Sequence, residues 1–261
     1  MLALARNRTL PRPLLALVGL LLLTACGAPA GLDRLAVGEL GRVAEVRSGD
    51  VLVLDSGLTV RLAGIEAPGQ DEPYAAEARA VLRRLADGRV VRLLYGGARR
   101  DAYGRALAQV QLKGSGQWLQ AALLKAGAAR AHTWPDNRAM AGELYEAEAY
   151  ARNRKLGLWK LPAYRVLLPA ETASAYGFQI VEGRVRRLGP EGALEFGDDP
   201  GAGFSAPVDP KAGDELKAAG KAPEQLRGHL VRVRGWIREA DGGPVIRLDH
   251  PEQIEVLKEK D

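Results

Sequence analysis

The stretch Arg61-Leu-Ala-Gly-Ile-Glu66-Ala-Pro-Gly-Gln70 places the strongest constraint on how this chain folds. The apolar runs Val51 to Leu54 and Leu58 to Leu62 read as two strands, and Asp55-Ser-Gly57 between them reads as a hairpin turn. Asp50 then falls at the start of one strand and Arg61 near the end of the next. The sequence therefore predicts that these two side chains share a site.

Two carboxylates and two guanidinium groups are concentrated around this hairpin. The carboxylates belong to Asp50 and Glu66, and the guanidinium groups to Arg61 and to Arg105 of the turn Asp101-Ala-Tyr-Gly-Arg105. Carboxylate oxygens suit a hard divalent cation such as calcium. Forked guanidinium groups suit the charge of a phosphoryl transition state. Together they indicate a calcium site beside a phosphodiester.

Several motifs follow one another in a fixed order. They are Gly49-Asp50, the strand ending in Arg61-Leu-Ala-Gly-Ile-Glu66-Ala-Pro, then Asp101-Ala-Tyr-Gly-Arg105, and finally a helix closing on Gly157-Leu-Trp159. With these motifs, residues 41–159 resemble the thermonucleases, also called staphylococcal nuclease-like proteins. The resemblance implies an α+β domain, a five-stranded OB-type β-barrel capped by helices.

The resemblance also implies roles for the charged residues. Asp50, Glu66 and the main-chain carbonyl of Ala67 would hold calcium, and Arg61 and Arg105 would neutralise the transition state of phosphodiester hydrolysis. Glu66 stands where an aspartate is most typical, so we expect a weakened calcium site.

The chain departs from the family pattern at Gly69. In active members a glutamate follows the Ala-Pro pair and positions or deprotonates the attacking water. Asp71 and Glu72 could substitute for it if the loop is rearranged, or they could simply lie at the N-terminus of a helix beginning at Pro73. The sequence thus predicts a nuclease of reduced activity, with a catalytically inactive binding module of the cell envelope as the alternative.

The N-terminus has the pattern of a lipoprotein signal peptide. Three arginines within the first twelve residues precede an apolar run from Leu14 to Leu23, and small residues lead to Cys26. Cys26 is the only cysteine, so it cannot form an intramolecular disulfide, and it occupies the position acylated in a lipobox. An ordinary signal peptide with a chance cysteine is the alternative. Because Gly27 follows instead of aspartate, we expect anchoring to the membrane on the periplasmic face of the outer membrane.

The rest of the chain divides into two predicted domains. After a signal peptide (1–25) and a tether (26–38), residues 39–160 form the thermonuclease-like domain, with helices predicted over Pro73 to Leu85, Trp118 to Lys125 and Ala139 to Arg154. A linker (161–177) leads to a small, mostly β, OB-like domain (178–261). In its run Val231-Arg-Val-Arg-Gly-Trp236-Ile, the alternation predicts that the valines face a core and the arginines face outward. The only three phenylalanines, Phe178, Phe196 and Phe204, are expected in that core.

Charge places the expected nucleic-acid ligand on the first domain. Residues 35–160 contain 19 Lys and Arg against 14 Asp and Glu, whereas residues 178–261 contain 13 against 16. A chain ending near Lys160 should therefore keep most of the affinity for DNA or RNA. His132, His229 and His250 lack metal-ligand spacing and are expected to have surface or structural roles. No protein partner is predicted.

Overall fold

The computed structural model describes residues 31–197 and 203–258. The predicted signal peptide and Cys26 lie outside these residues. Within the described part of the chain, no helix has both the length and the apolar character needed to cross a bilayer.

The first part of the chain forms a closed five-stranded barrel. Its strands follow the order β1-β2-β3-β6-β5; β3 and β6 pair in parallel and the other neighbours are antiparallel. The elements of this part are β1 (Ala36–Val46), β2 (Val51–Leu54), β3 (Thr59–Leu62), β4 (Ile65–Glu66), α1 (Ala75–Ala86), β5 (Val90–Tyr95), β6 (Ala106–Leu112), α2 (Leu119–Lys125), β7 (Arg130–Ala131) and α3 (Ala141–Asn153). The predicted α+β class and OB-type barrel are confirmed.

Several element boundaries differ from the sequence prediction by one or more residues, among them the starts of β1 and α1. β1 begins at Ala36, so the last residues assigned to the tether pair with Tyr95 and Leu94 of β5. Helix α1 begins at Ala75 and not at Pro73, because Tyr74 adopts a left-handed conformation with φ 73° that a helix cannot contain.

The Gly-Leu-Trp motif closes the barrel domain through a close backbone approach. A Cβ on Gly157 would lie 2.2 Å from the carbonyl oxygen of Gly127, which follows α2, and the φ of Gly157 is +56°. Only glycine fits both conditions. Leu158 then donates its N–H to the Gly127 carbonyl, which fixes the end of α3 against the end of α2.

The second part of the chain forms a mostly β unit with its own core. Its elements are β8 (Phe178–Arg184), β9 (Arg187–Leu188), β10 (Leu194–Glu195), β11 (Ser205–Ala206), α4 (Gly213–Ala218), α5 (Pro223–Leu226), β12 (Leu230–Ala240), β13 (Gly243–Ile246) and β14 (Ile254–Val256). The sheet runs β14-β12-β13-β11-β10-β9, and β8 also pairs with β12. Phe196 and Phe204 are buried in this core as predicted, whereas Phe178 is buried in a separate cluster shared with the first part of the chain.

The two parts pack tightly against each other. A shared apolar cluster joins Trp159 near the end of the barrel domain to Phe178 and Ile180 of β8. Arg130 of β7 also donates a hydrogen bond to the carbonyl of Phe178. The face of β8 and β12 that points away from the second core is therefore covered by the first domain.

This packing corrects the expected orientation of the arginines in β12. Val231 and Val233 are buried in the second core as predicted, but the side chain of Arg234 is only 1% exposed. Arg234 forms ion pairs with Glu148 of α3, at 3.1 Å, and with Glu255 of β14. Alternation correctly separates the two faces of the strand, but the face assigned to solvent is an interface.

Candidate nucleic-acid cleft

A cavity of about 970 Å³ opens beside the barrel, and we refer to it as the cleft. Its lining includes the residues expected to bind calcium or to neutralise the transition state, together with the position of the missing glutamate. These residues are Asp50, Arg61, Glu66, Ala67, Gly69 and Arg105. The fold thus brings three separate segments of the chain to one place.

The β2–β3 hairpin positions Asp50 beside Arg61. Val51 pairs with Arg61 in the antiparallel register, so Asp50 lies just outside the ladder. Its carboxylate accepts hydrogen bonds from the Ser48 hydroxyl and from the backbone N–H of Ala67, each at 2.8 Å. Asp50 therefore joins the hairpin to the segment that carries Glu66.

Arg61 is the centre of the site. Its Nη1 donates to the carbonyls of Leu62 and Ile65, each at 2.9 Å, and lies 3.2 Å from Asp50 Oδ2. Its Nη2 donates to Glu66 Oε2 at 2.8 Å. With its side chain 12% exposed, the guanidinium is held in one orientation and neutralises part of the charge of both carboxylates.

Glu66 has a second partner, His132. The imidazole Nδ1 lies 3.2 Å from Glu66 Oε2, and the buried ring packs 4.4 Å from the ring of Phe178. Burial lowers the pKa of His132, although the hydrogen bond to Glu66 acts in the opposite direction. Burial alone would raise the pKa of Glu66, but the hydrogen bond from His132 and the charge of Arg61 outweigh it and the pKa is lowered.

His132 was expected to have a surface or structural role, and its contact with Glu66 was not predicted. His132 follows β7, which pairs with β4 so that Glu66 lies opposite Arg130. His132 also donates its backbone N–H to Gly64. The two-residue strands β4 and β7 are too short for a period-2 signal, so the sequence held no indication of this pairing.

Arg105 is more accessible than Arg61, with its side chain 30% exposed. Asp101 holds it from the same turn: the Arg105 Nε lies 2.6 Å from Asp101 Oδ2, and its backbone N–H donates to Oδ1. Burial would raise the pKa of Asp101, but the hydrogen bonds from Arg105 lower it. Arg105 is thus fixed at one end of its guanidinium and open at the other.

Gly69 lies exposed on the rim of the cleft and has room for a side chain. A Cβ built there would meet only the Glu72 side chain, at 3.6 Å or more, and the φ of Gly69 lies outside the left-handed region. Glu72 accepts a hydrogen bond from the Gly69 backbone N–H at 2.7 Å. Neither Asp71 nor Glu72, the two possible substitutes for the missing base, is among the residues that line the cleft.

Several oxygen donors surround Arg61 in the cleft. Asp50, Glu66 and the Ala67 carbonyl are hard donors suited to calcium. Both carboxylates are paired with Arg61, however, and within the described residues no group of three or more acidic, histidine or cysteine side chains is placed to hold a metal ion. Oxygen donors of a suitable type are therefore present, but both carboxylates already have a positively charged partner.

Aromatic side chains form one wall of the cleft. Trp134, which follows β7, is 41% exposed, and Trp236 of β12 is 43% exposed. Both line the cleft, as does Tyr103 on the Arg105 turn. Trp236 belongs to the second domain, so the cleft contains residues from both.

The chain is similar in sequence to a family of nucleases. Residues 59–161 match the family model described as "Staphylococcal nuclease homologue". The thermonuclease of Staphylococcus intermedius is 30% identical over 132 residues, which cover 47% of this chain and 77% of that protein. Staphylococcal-like nuclease CAN1 of Arabidopsis thaliana is 33% identical over 107 residues, which cover 41% of this chain and 31% of that protein. The probable staphylococcal-like nuclease CAN1 of Oryza sativa subsp. japonica is 32% identical over 108 residues, which cover 41% of this chain and 30% of that protein. The chain spans about a third of the length of each plant relative.

Proposed function

Because the chain belongs to the staphylococcal nuclease family, we propose that it is a calcium-dependent nuclease of reduced activity, tethered outside the cytoplasm, that hydrolyses phosphodiester bonds of DNA or RNA. The observation that carries this proposal is the convergence of Arg61 and Arg105 with Asp50 and Glu66 in one cleft.

The two arginines have different roles in the proposed reaction. Arg105 keeps part of its guanidinium accessible and donates to a non-bridging oxygen of the scissile phosphate, where negative charge grows in the transition state. Arg61 is fixed by two backbone carbonyls and holds Asp50 and Glu66 in place while adding positive charge to the floor of the cleft. Calcium held by Asp50, Glu66 and the Ala67 carbonyl would supply Lewis-acid polarisation of the phosphate.

Gly69 explains why the proposed activity is low. Water attacks in line with the leaving oxygen, and no carboxylate projects from position 69 to orient it or take its proton. Loss of a general base typically costs about 10²- to 10⁴-fold in rate. Slow hydrolysis supported by the charges of the cleft remains.

The test is cleavage of single-stranded DNA in the presence of calcium. We expect slow cleavage that a chelator stops, and a rate about 10-fold or more higher in Gly69→Glu, since the position is open to a side chain. Gly69→Gln is the matched control, because it has the same size but cannot accept the proton of water. Arg105→Ala should lower the rate by about 10²- to 10³-fold.

A catalytically inactive, nucleic-acid-binding module is the second candidate. It is favoured by Gly69 and by the pairing of both carboxylates with Arg61. If the native chain cleaves no faster than an Arg61→Ala, Arg105→Ala double variant but still binds single-stranded DNA, the nuclease proposal is wrong and the binding module replaces it.

The tether is proposed from the sequence of the N-terminus alone. Acylation of Cys26 would anchor the protein to the membrane, with its cleft facing the periplasm. The mature protein should then partition into detergent, and Cys26→Ser should abolish both processing and acylation. Unchanged membrane anchoring of the serine variant would contradict this.

A further inference from the structure

We propose that the second β domain completes the cleft, and that Trp236 contributes a surface on which an unpaired base of a bound single strand stacks. This inference rests on the proposed nucleic-acid function and assigns a strand-binding residue to the second domain.

The position of Trp236 follows from the alternation in β12. Val231, Val233 and Gly235 are buried on the face toward the second core, whereas Arg234 and Trp236 share the opposite face. Trp236 also pairs with Phe178 of β8 in the antiparallel register. The indole therefore points from the second domain toward the first, where it lines the cleft.

Arg234 fixes this arrangement two residues before Trp236. Its guanidinium lies 4.0 Å from the ring centroid of Tyr145, pairs with Glu148 and donates to the carbonyl of Ala131 at 3.0 Å. All of these partners belong to the barrel domain. A buried, multiply bonded arginine at this place holds β12 against α3, so Trp236 is a fixed wall of the cleft.

The indole of Trp236 lies at one end of a continuous row of aromatic rings, which forms a wall of the cleft. Phe178 lies 6.3 Å from Trp236, His132 lies 4.4 Å from Phe178, and Trp134 lies 4.2 Å from His132, measured between ring centroids. The two inner rings are buried, and the two indoles at the ends are both more than 40% exposed. The wall thus presents two flat apolar surfaces to the space beside Arg61 and Arg105.

The chemistry of the lining identifies the ligand. Five arginines line the cleft, and three of these, Arg47, Arg79 and Arg100, lie outside the Arg61 and Arg105 groups already described. The carboxylates of Asp50, Glu66, Asp101 and Asp136 also line the cleft, so its excess of positive charge is small. Arginines beside exposed aromatic rings suit a strand whose phosphates follow the arginines and whose bases stack on the rings. In a duplex the bases are already stacked on each other, so only an unpaired base can use Trp236.

The experiment measures affinity in the full chain by fluorescence anisotropy, with a labelled single-stranded oligonucleotide and a chelator to suppress cleavage. Trp236→Ala should weaken binding by about 10-fold, and Trp236→Phe should restore most of it, because phenylalanine retains a stacking surface. On an abasic strand of equal length, the native chain and Trp236→Ala should bind equally. Tyr176→Ala is the control, since Tyr176 is an exposed aromatic residue that does not line the cleft.

Two results would overturn the inference. One is unchanged affinity of Trp236→Ala for the base-bearing strand. This result would mean that the indole does not contact the strand and binds another partner, such as a second copy of the chain. The other is equal weakening on base-bearing and abasic strands, which would mean that the substitution disturbs packing and not stacking. If the native chain shows no hydrolysis but the base-dependent loss is found, the nuclease proposal fails and this inference stands.

Discussion

His132 and Glu66 form the pair that most directly links the cleft to pH. The pKa of His132 is lowered from 6.5, mainly by burial, and that of Glu66 is lowered from 4.5, because His132 and Arg61 outweigh the effect of burial. The folded protein therefore binds fewer protons at these two groups than the unfolded chain does. Stability from both groups is present above their unfolded pKa values and is lost as pH falls through the folded values.

We expect the free energy of unfolding to fall as pH is lowered from about 7 to about 5, where unfolded His132 takes up its proton first. A further fall below about 4.5 belongs to Glu66. His132→Phe should flatten the first part of the curve in urea unfolding measured at a series of pH values. His229→Phe is the matched control, because His229 is exposed and should leave the curve unchanged. An equally steep fall between pH 7 and 5 in His132→Phe would refute the assignment.

Among the site residues, the sequence predicted the contacts between residues that lie close together in the chain. Asp50 and Arg61 meet through a short hairpin whose turn residues are recognisable, and Arg105 is held by an aspartate of its own turn. His132 could not be predicted, because its contact with Glu66 joins residues 66 positions apart. Tertiary packing creates that pair, and no local pattern encodes it.

Among the elements, β12 is the one whose position depends most on a single buried charge, that of Arg234. Burial alone would lower the pKa of Arg234, but Glu148, Tyr145 and Glu255 outweigh it and raise the pKa, so the guanidinium stays charged. Glu148 is itself fully buried and has Arg152 as a second partner at 2.8 Å. The strand and helix α3 are thus joined by an ion network removed from water.

Arg234→Ala should destabilise the protein by about 3–5 kcal/mol, since it removes the buried guanidinium and leaves Glu148 with Arg152 as its remaining ion-pair partner. Adding Glu148→Ala should recover part of the lost stability, because it removes a buried carboxylate that has lost its ion pair with Arg234. Arg83→Ala is the control: its pair with Asp87 on the surface of α1 is exposed, and the expected change is within about 0.5 kcal/mol. Chemical denaturation of the four proteins measures these differences. A loss in Arg234→Ala no larger than in the control would show that the network contributes little.

The element boundaries show why part of the fold was predictable. The barrel strands and the three helices of the first domain follow apolar periodicity, which reports on each segment alone. The outward assignment of the arginines in β12 was wrong because periodicity distinguishes two faces but does not say what covers each one. Only the packing of the two domains determines that.

At the scale of the whole molecule, the distribution of charge places the nucleic-acid site in the first domain alone, whereas the shape of the cleft places it between both domains. The excess of basic residues lies in residues 35–160, which predicts that this part alone retains most of the affinity. The cleft, however, includes Trp236 from the second domain, and the interface buries Arg234 and Glu148 between the two domains. General attraction to phosphates should therefore be separable from the selection of an unpaired strand.

A chain ending at Lys160 tests this separation. It should melt about 10 °C or more below the full chain, because Glu148 loses Arg234 and the apolar surface of Trp159 loses Phe178 and Ile180. It should still bind DNA in a salt-dependent way but lose the preference for single strands over duplex. The full chain carrying Trp236→Ala is the matched control, since it should lose the same preference while keeping its melting temperature. Circular dichroism melts and anisotropy titrations at two salt concentrations measure both properties. An unchanged melting temperature together with an intact preference in the shortened chain would mean that the second domain supports neither the fold nor the cleft.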